Sequence, residues 1–597
     1  MKRAALEQNR VDSSVKSDKF SYLLYGGQKR LDSLQRIWKK IEDDPEFSKA
    51  ERQYMNHSER YVDACRKIMR FQVVSEEENF QNLDEVYDAY LAVDENLPLD
   101  VHLSMFIPIM TMHTSIEQRN RWLSDCQSFR IIGAYAQTEL AHGSNIRGIC
   151  TTATYDMGTD EFVINTPTLS AAKWWPGGLG HTATHAVVYA NLIIAGENYG
   201  PHPFMVQLRN SINHAPLPRI SLGDIGPKQG YNSMDNGYAL FDNLRIPRAD
   251  MLMGYAQVSP NGQYSKQAGA EKIAFGIMLD VRARICAVSA SVLARALTVS
   301  IRYSCVREQG FVANGVSNMT ERAIIDYPTQ QRVLMPLLSL AYALHFTGAD
   351  IKSSYNAYAS SKELSLLSEL HASSAGLKAY ITEHVSESME RCRKMCGGHG
   401  FLVNAGFAEL SNSYLPFSTL EGTKEVLGQQ MGRFLLKELI TAMAIVQGQD
   451  PPRLSISPSA AYILEVVQLK RDGTEGGRTL NLQTLLTAAH EASLTLNLSD
   501  EYYAEIERSL LNALKVRSVW CLGVAGDAAD LSSADQRKGK KSEMEPLLAA
   551  SVELCAAAEA HCEVLIMQSF SAGIERATAS PRNNTRCSSC VMCMFIS

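Results

Sequence analysis

Apolar residues recur every three or four positions in the first stretch of this chain, alternate with polar ones in a second, and return to the longer spacing afterwards. That order predicts helix, then strand, then helix. In "QKRLDSLQRIWKKIEDD", Leu31, Leu34, Ile37 and Trp38 share one face, and residues 20–130 read as helical throughout. From about 131 to 255 come short strand-like pieces, "EFVINTP", "THAVVYANLIIAG" and "PFMVQLRN", separated by the turn signals "WPGG", "YGPHP" and "GPKQG". Phe204, Val206 and Leu208 alternate with Met205 and Gln207, which predicts a strand with one buried face. Helical spacing resumes at about 270 in "RARICAVSASVLARALTVSIRY" and "TQQRVLMPLLSLAYALHFTG". The adjacent prolines of "VQGQDPPRLSISPSA" lack amide donors and predict a linker. The resulting division is a helical domain (1–130), a β-barrel domain (131–265), a helical bundle (266–446), a linker (447–460), a second helical domain (461–570) and a loose tail (571–597). The fold class is mostly α with an inserted β-barrel.

Composition narrows the function. The 597 residues are enough for about four domains, and 45% of them are hydrophobic, ample for several cores. A net charge of -6 gives no footprint for nucleic acid, the one short basic run being "RKGKK" at 537–541. No apolar stretch reads as the roughly 18 residues of a membrane span, and the N-terminus lacks the apolar core of a signal peptide. A soluble intracellular protein without membrane insertion is expected. The 13 cysteines are scattered, which fits reduced thiols. Cys587, Cys590 and Cys593 of "CSSCVMC" lack the fourth ligand of a closed zinc site, and no metal is expected.

Common chemical fingerprints are missing. "GSNIRGIC" has Gly143 and Gly148 spaced as in a phosphate loop, but Ile149 and Cys150 stand where Lys and Ser or Thr would touch phosphate and magnesium. There is no G-x-G-x-x-G, H-E-x-x-H or G-x-S-x-G. What the chain has instead is glycine and aromatic clusters: "AYAQTELAHGSN", "KWWPGGLGHT", "CGGHGF" and "LEGTKE". Pro176, Gly177 and Gly178 form a tight turn whose amides can approach a ligand. Trp174 and Trp175 read either as a strand end in a core or as a flat wall for a ring system. Glu421 also has a local reading, because "STLE" fits the S-x-x-E capping box, with Ser418 as cap ahead of Leu427, Met431, Phe434 and Leu435.

In combination, "AYAQTELAHGSNIRGICTTATYD", "KWWPGGLGHTATHAVVYANL", "DIGPKQGYNSMDNGYALFDNLRIPR", "CRKMCGGHGF" and "LEGTKEV" resemble the peroxisomal acyl-CoA oxidase family of the acyl-CoA dehydrogenase superfamily. The likeness runs from about residue 20 to about 450, and more weakly to about 570. It implies an acyl-CoA dehydrogenase/oxidase-like architecture and an FAD-dependent homodimer. It further implies oxidation of acyl-CoA to trans-2-enoyl-CoA, with O2 reduced to hydrogen peroxide, in the first step of peroxisomal β-oxidation. Glu421 is implied as the catalytic base. Thr138, Gly177, Arg307 and the turn Cys396, Gly397, Gly398, His399 and Gly400 are implied as FAD-binding. Lys424, in "EGTKEV", departs from the acidic or amide residues seen near this position in many members, and is expected to pair with a carboxylate and retune Glu421. The chain ends in "MFIS" rather than a Ser-Lys-Leu type tripeptide. A silent subunit that dimerises with an active relative, and a dehydrogenase that passes electrons to a carrier flavoprotein, are the alternative readings.

Overall fold

The computed structural model describes residues 6–8, 10–11, 21–22, 24–80, 83–267, 276–311, 321–361, 363–449, 455–471, 500–536 and 544–578. The basic run at 537–541, part of the linker and the cysteines Cys587, Cys590 and Cys593 lie outside these residues. The chain divides into two compact units, one of residues 28–277 and one of residues 1–27 with 278–597.

The unit of residues 28–277 opens with helices α1 (Gln28–Glu42), α2 (His57–Glu77), α3 (Leu83–Val93), α4 (Ile107–Met112) and α5 (Ile116–Gln127). Helix α2 begins at a reciprocal capping box: Asn56 Oδ1 accepts from the Glu59 amide at 3.0 Å, and the Glu59 carboxylate accepts from the Asn56 amide at 2.8 Å. Ser115 and Gln118 begin α5 the same way. On α1 the buried face is Leu31, Leu34, Ile37 and Ile41, whereas Trp38, expected on it, is 36% exposed.

Strands β1 (Gly133–Ala136), β2 (Thr152–Asp156), β3 (Glu161–Asn165), β5 (His185–Ile194), β6 (Glu197–Gln207) and β9 (Leu244–Pro247) form one sheet. In it β5 runs parallel to β1 and β2 and antiparallel to β6. Strands β4 (Lys173–Trp174), β8 (Gly237–Phe241) and β7 (Ile220–Asp224) form a second sheet in that order, so the strands make a curled half-barrel rather than a closed ring. A hairpin of β10 (Ala256–Val258) and β11 (Tyr264–Lys266) follows. Phe204, Val206 and Leu208 are buried as their alternation predicts, but Met205 is buried too. It packs with Val187 in the core of the helices, while Phe204 and Val206 belong to the core between the strands. This strand is covered on both faces, which period-2 alternation does not signal.

In the other unit, α6 (Gly276–Val306), the β12–β13 hairpin (Glu308–Phe311, Glu321–Ala323), α7 (Pro328–Ser361), α8 (Leu364–Lys394), α9 (Phe407–Tyr414) and α10 (Lys424–Gln447) are followed by α11 (Ala461–Arg471), α12 (Asp500–Gln536), α13 (Met544–Ala549) and α14 (Ser551–Thr578). A single apolar core links α6 to α12 and α14. A Cβ at Gly432 would lie 2.5 Å from the Leu554 carbonyl oxygen, so α10 and α14 cross where only glycine leaves room. Two sequence expectations are corrected here. Helices α6 and α7 are each long and apolar enough by length and composition to cross a membrane, with half of each apolar window buried inside the protein. Their apolar residues build the core of this unit. Residues 571–578, expected in a loose tail, continue α14, because Gly573 lets Phe346 pack against it and Arg576 pairs with Asp350 at 2.9 Å.

Candidate active site

Glu421 lies in the turn between a short 3-10 segment, Leu415–Ser418, and α10. The capping box is not formed. Ser418 donates to the Leu415 carbonyl at 2.8 Å, and the residue at the N-cap position of α10 is Thr423, without a side-chain capping bond. The carboxylate of Glu421 is thereby released from any duty to the helix. Its backbone is left-handed, φ +60°, and Gly422 follows at φ +107°. A non-glycine residue in that region costs about 1–3 kcal/mol and persists only where surroundings impose it. At 422 a glycine is required twice over, by φ and because a Cβ would lie 2.7 Å from Leu427.

Two buried cations impose the turn. Lys378 on α8, fully buried, donates from Nζ to the carbonyls of Leu420 (2.5 Å) and Gly422 (2.7 Å). Arg282 on α6, 5% exposed, donates to the carbonyl of Glu421 itself at 3.1 Å. None of these three hydrogen bonds goes to the carboxylate. Glu421 keeps some surface as a residue, but its Oε2 is buried and has no hydrogen-bond partner. Burial raises the proton affinity of this carboxyl above the ordinary glutamate value, against the opposing charges of Arg282 and Lys378. Burial likewise pushes Lys378 down to about 8, with the Glu421 charge acting in the other direction. Lys424, expected to retune Glu421, instead pairs with Glu559 of α14 at 2.9 Å. Glu425, the nearest competing carboxylate in sequence, is exposed.

The "CGGHG" turn follows α8. Gly397 has φ +58°, and a Cβ on Gly397 or Gly398 would meet no atom within 4 Å, so the backbone here faces open space. Gly400 is different, since a Cβ there would lie 2.3 Å from the Arg393 carbonyl, and Cys396 belongs to the core. His399 Nδ1 is 3.1 Å from the Tyr303 hydroxyl, which brings the turn to the end of α6 where Arg307 follows. Arg307 donates to Gln309 Oε1 at 3.0 Å. Arg307 and the glycine turn thus share one end of α6. Glu421 is held at Arg282, near its other end, and at 1.5 Å per residue the two places are about 30 Å apart along the helix axis.

In the unit of residues 28–277, Thr138 follows β1 and its carbonyl accepts from the Trp174 amide at 3.0 Å. The two tryptophans divide between their two readings. Trp174 stacks on Tyr238 with ring centroids 5.7 Å apart, whereas Trp175 is 54% exposed with φ +88°. Gly177 is packed internally, since a Cβ would lie 2.9 Å from Met234 Sδ and 3.0 Å from Val101. Beside Thr138, the fully enclosed carboxylate of Glu139 accepts from the amides of Cys150 (2.8 Å) and Thr151 (2.9 Å), the Thr151 hydroxyl (2.6 Å) and buried Lys173 (3.2 Å). Its Oε2 also lies 3.0 Å from His142 Nδ1.

Sequence reasoning missed Lys378 and Arg282. For Lys378 the available signal was a lone charge in the small and apolar stretch "SSAGLKAYI"; Arg282 stands between Asp280 and Arg284 in "IMLDVRARICAV", where no one charge is singled out. Such charges are rarely buried without a task.

Comparison with known proteins agrees with these observations. Residues 16–132 match the family described as Acyl-coenzyme A oxidase N-terminal, and residues 275–436 match Acyl-CoA oxidase, C-alpha1 domain. The chain is 38% identical over 577 residues to peroxisomal acyl-coenzyme A oxidase 1 of Arabidopsis thaliana, covering 96% of this chain and 80% of that protein. To the protein of the same name from Phascolarctos cinereus it is 36% identical, covering 96% of this chain and 83% of the relative. The crystal structure of acyl-CoA oxidase-1 of Caenorhabditis elegans complexed with FAD and ATP superposes with a TM-score of 0.84 at 30% identity, covering 99% of this chain and 83% of that one. With this identity sustained over four fifths of its relatives' length, the chain belongs to the peroxisomal acyl-CoA oxidase family.

Proposed function

We propose that this chain is the FAD-dependent enzyme of the first step of peroxisomal fatty-acid β-oxidation, with Glu421 as the base that takes the α proton of an acyl-CoA. The carrying observation is the buried, unpartnered Oε2 of Glu421 on a turn held by two cations. The bond to be oxidised is a saturated carbon pair beside a thioester, so a proton must leave the α carbon while a hydride leaves the β carbon. An acceptor with no hydrogen bond to break, and a proton affinity raised toward neutral pH, suits the first task. The carboxylate becomes a neutral carboxyl as the product becomes the trans-2-enoyl thioester. Arg282 and Lys378 leave Oε2 unoccupied, because the hydrogen bonds they make to this turn go to its backbone carbonyls.

Each unit carries groups that suit a flavin: in residues 28–277, Trp175 with an exposed ring and Thr138 with a hydroxyl, and in the other unit, Gly397 and Gly398 with a backbone free of obstructing atoms and Arg307 with a cation. When bound, FAD accepts the hydride and passes the electron pair to O2, giving hydrogen peroxide. Gly177, Cys396 and Gly400 are retained as part of the FAD site for the shape they give the backbone around it, and His399 for its place on the glycine turn. The distance of about 30 Å along α6 between the Arg307 end and Glu421 favours a homodimer, in which the glycine turn and Arg307 of one chain serve the cofactor of the other.

The test mixes FAD-loaded protein with medium-chain and long-chain acyl-CoA without air, follows the visible flavin band, then admits air and assays peroxide, with the mass in solution measured alongside. Bleaching, then peroxide, from a dimer is the expected result. Bleaching without peroxide would make the chain a dehydrogenase that uses a carrier flavoprotein. A loaded protein that no acyl-CoA bleaches would be a silent subunit.

A further inference from the structure

Lys378 is an unusual use of a lysine. Taking an ammonium out of water costs several kcal/mol, yet both of its hydrogen bonds go to neutral carbonyls, those flanking Glu421 on either side. A lysine serving only to stabilise the bundle would gain more by pairing with a carboxylate, as fully buried Lys67 does with Asp63 at 2.6 Å and Glu95 at 2.7 Å. The Leu420 and Gly422 carbonyls converge on one ammonium because Glu421 and Gly422 are both left-handed. The same contact that fixes the turn places a positive charge beside the carboxylate without occupying its oxygens.

Resting on the reading of Glu421 as the base, we propose that Lys378 is its positioning residue: the ammonium clasps the carbonyls of residues 420 and 422, holds the left-handed turn that presents the carboxylate, and keeps that carboxylate ionised between turnovers. The charged and titratable groups around it are few. Arg282 and Cys286 face it from α6, Glu383 lies on its own helix, and Glu421 is the group it serves. Burial pushes the Cys286 thiol up to about 12, so that group stays neutral. Lys424 is engaged by Glu559. Removing the ammonium leaves Arg282, whose charge already acts on the carboxylate, as the remaining cation there, and the proton affinity of Glu421 must then rise.

The experiment follows exchange of the α protons of a 3-thia acyl-CoA into D2O by NMR, as a function of pH, on FAD-loaded protein. This ligand can lose an α proton without being oxidised, so the readout does not pass through flavin reduction. Lys378→Gln keeps a donor for the carbonyls and removes the charge. It is expected to move the acid limb of exchange to higher pH by roughly half a pH unit or more, about a threefold loss of rate at a fixed pH on that limb. Lys378→Arg, with its charge fixed, keeps the limb in place. A Lys378→Gln limb coincident with the wild type overturns the proposal. If Lys378→Gln does not fold, Lys378→Arg decides alone: the wild type is expected to show a further inflection near pH 8 as Lys378 loses its proton, and Lys378→Arg to lack it. The same inflection in both overturns the proposal. Glu421→Gln separates the two layers, since exchange that persists there removes the base and with it the need for a positioning residue.

Discussion

Two glutamates of this chain are each buried beside a lysine, and their oxygens are treated in opposite ways. Glu139 has its carboxylate enclosed by the amides of Cys150 and Thr151, the Thr151 hydroxyl, His142 and Lys173. Burial alone would raise its proton affinity, but Lys173 and these hydrogen bonds outweigh that, and the carboxyl is held below the usual glutamate range. At Glu421 the cations donate to the backbone, Oε2 is left without a partner, and burial prevails. A buried carboxylate supplied with donors is locked as an anion and holds strands together. One whose neighbours are occupied elsewhere keeps its lone pairs for a proton. Both sites have a lysine, and what separates their hydrogen bonding is where the donors point: to the carboxylate at Glu139, to the backbone at Glu421.

Exchanging each glutamate for its amide breaks the comparison in two different observables. Glu421→Gln should lower anaerobic flavin reduction by roughly 10²–10⁴-fold, the range for loss of a general base, with a smaller fall in melting temperature than Glu139→Gln, because its Oε2 makes no hydrogen bond for the amide to lose. Rapid-mixing absorbance measures the first and scanning calorimetry the second. Glu139→Gln should do the reverse. It leaves fully buried Lys173 without its counter-charge, a loss of about 3–5 kcal/mol, read as a lowered unfolding midpoint, while the chemical step changes far less in whatever fraction remains folded.

The smallest effect concerns pH, and its sign differs between the two sites. Glu421 must be ionised to act, and its affinity is raised, so reduction should fall as pH drops through values above the ordinary glutamate range. Glu139 has a lowered affinity, so the stability it contributes is present above the unfolded-state value and is lost only as pH falls through the lower folded-state one. Reduction measured against pH, beside the stability difference between wild type and Glu139→Gln over the same range, should show activity failing first. Loss of both at the same pH would mean that the two carboxylates are not distinguished as described.

Much of this was legible in the sequence because the relevant signals are local. The spacing around Leu31, Leu34 and Ile37 and the alternation at Phe204, Val206 and Leu208 report which face is buried. The "LEGTKEV" stretch singled out Glu421. What was not legible depends on contacts distant in the chain. The capping box of Ser418 is chemically complete in sequence, and fails because Glu421 and Gly422 are turned left-handed by carbonyl contacts to residues 42, 44 and 139 positions away. Lys424 sits next to the site in sequence, but the start of α10 points it at Glu559. Gly177 and Gly400 read like Gly397 and Gly398, yet the first pair is required by internal packing and the second faces open space. A glycine in a sequence does not say whether a ligand or the protein itself stands where its Cβ would be.

The most direct test of the central claim, that Glu421 takes the α proton, is exchange of the α protons of a 3-thia acyl-CoA into D2O in wild type and Glu421→Gln, both loaded with FAD and matched in melting temperature. The account predicts exchange in the wild type and a loss of at least ~100-fold in Glu421→Gln. Exchange at the wild-type rate in Glu421→Gln would contradict it and place the base on another side chain.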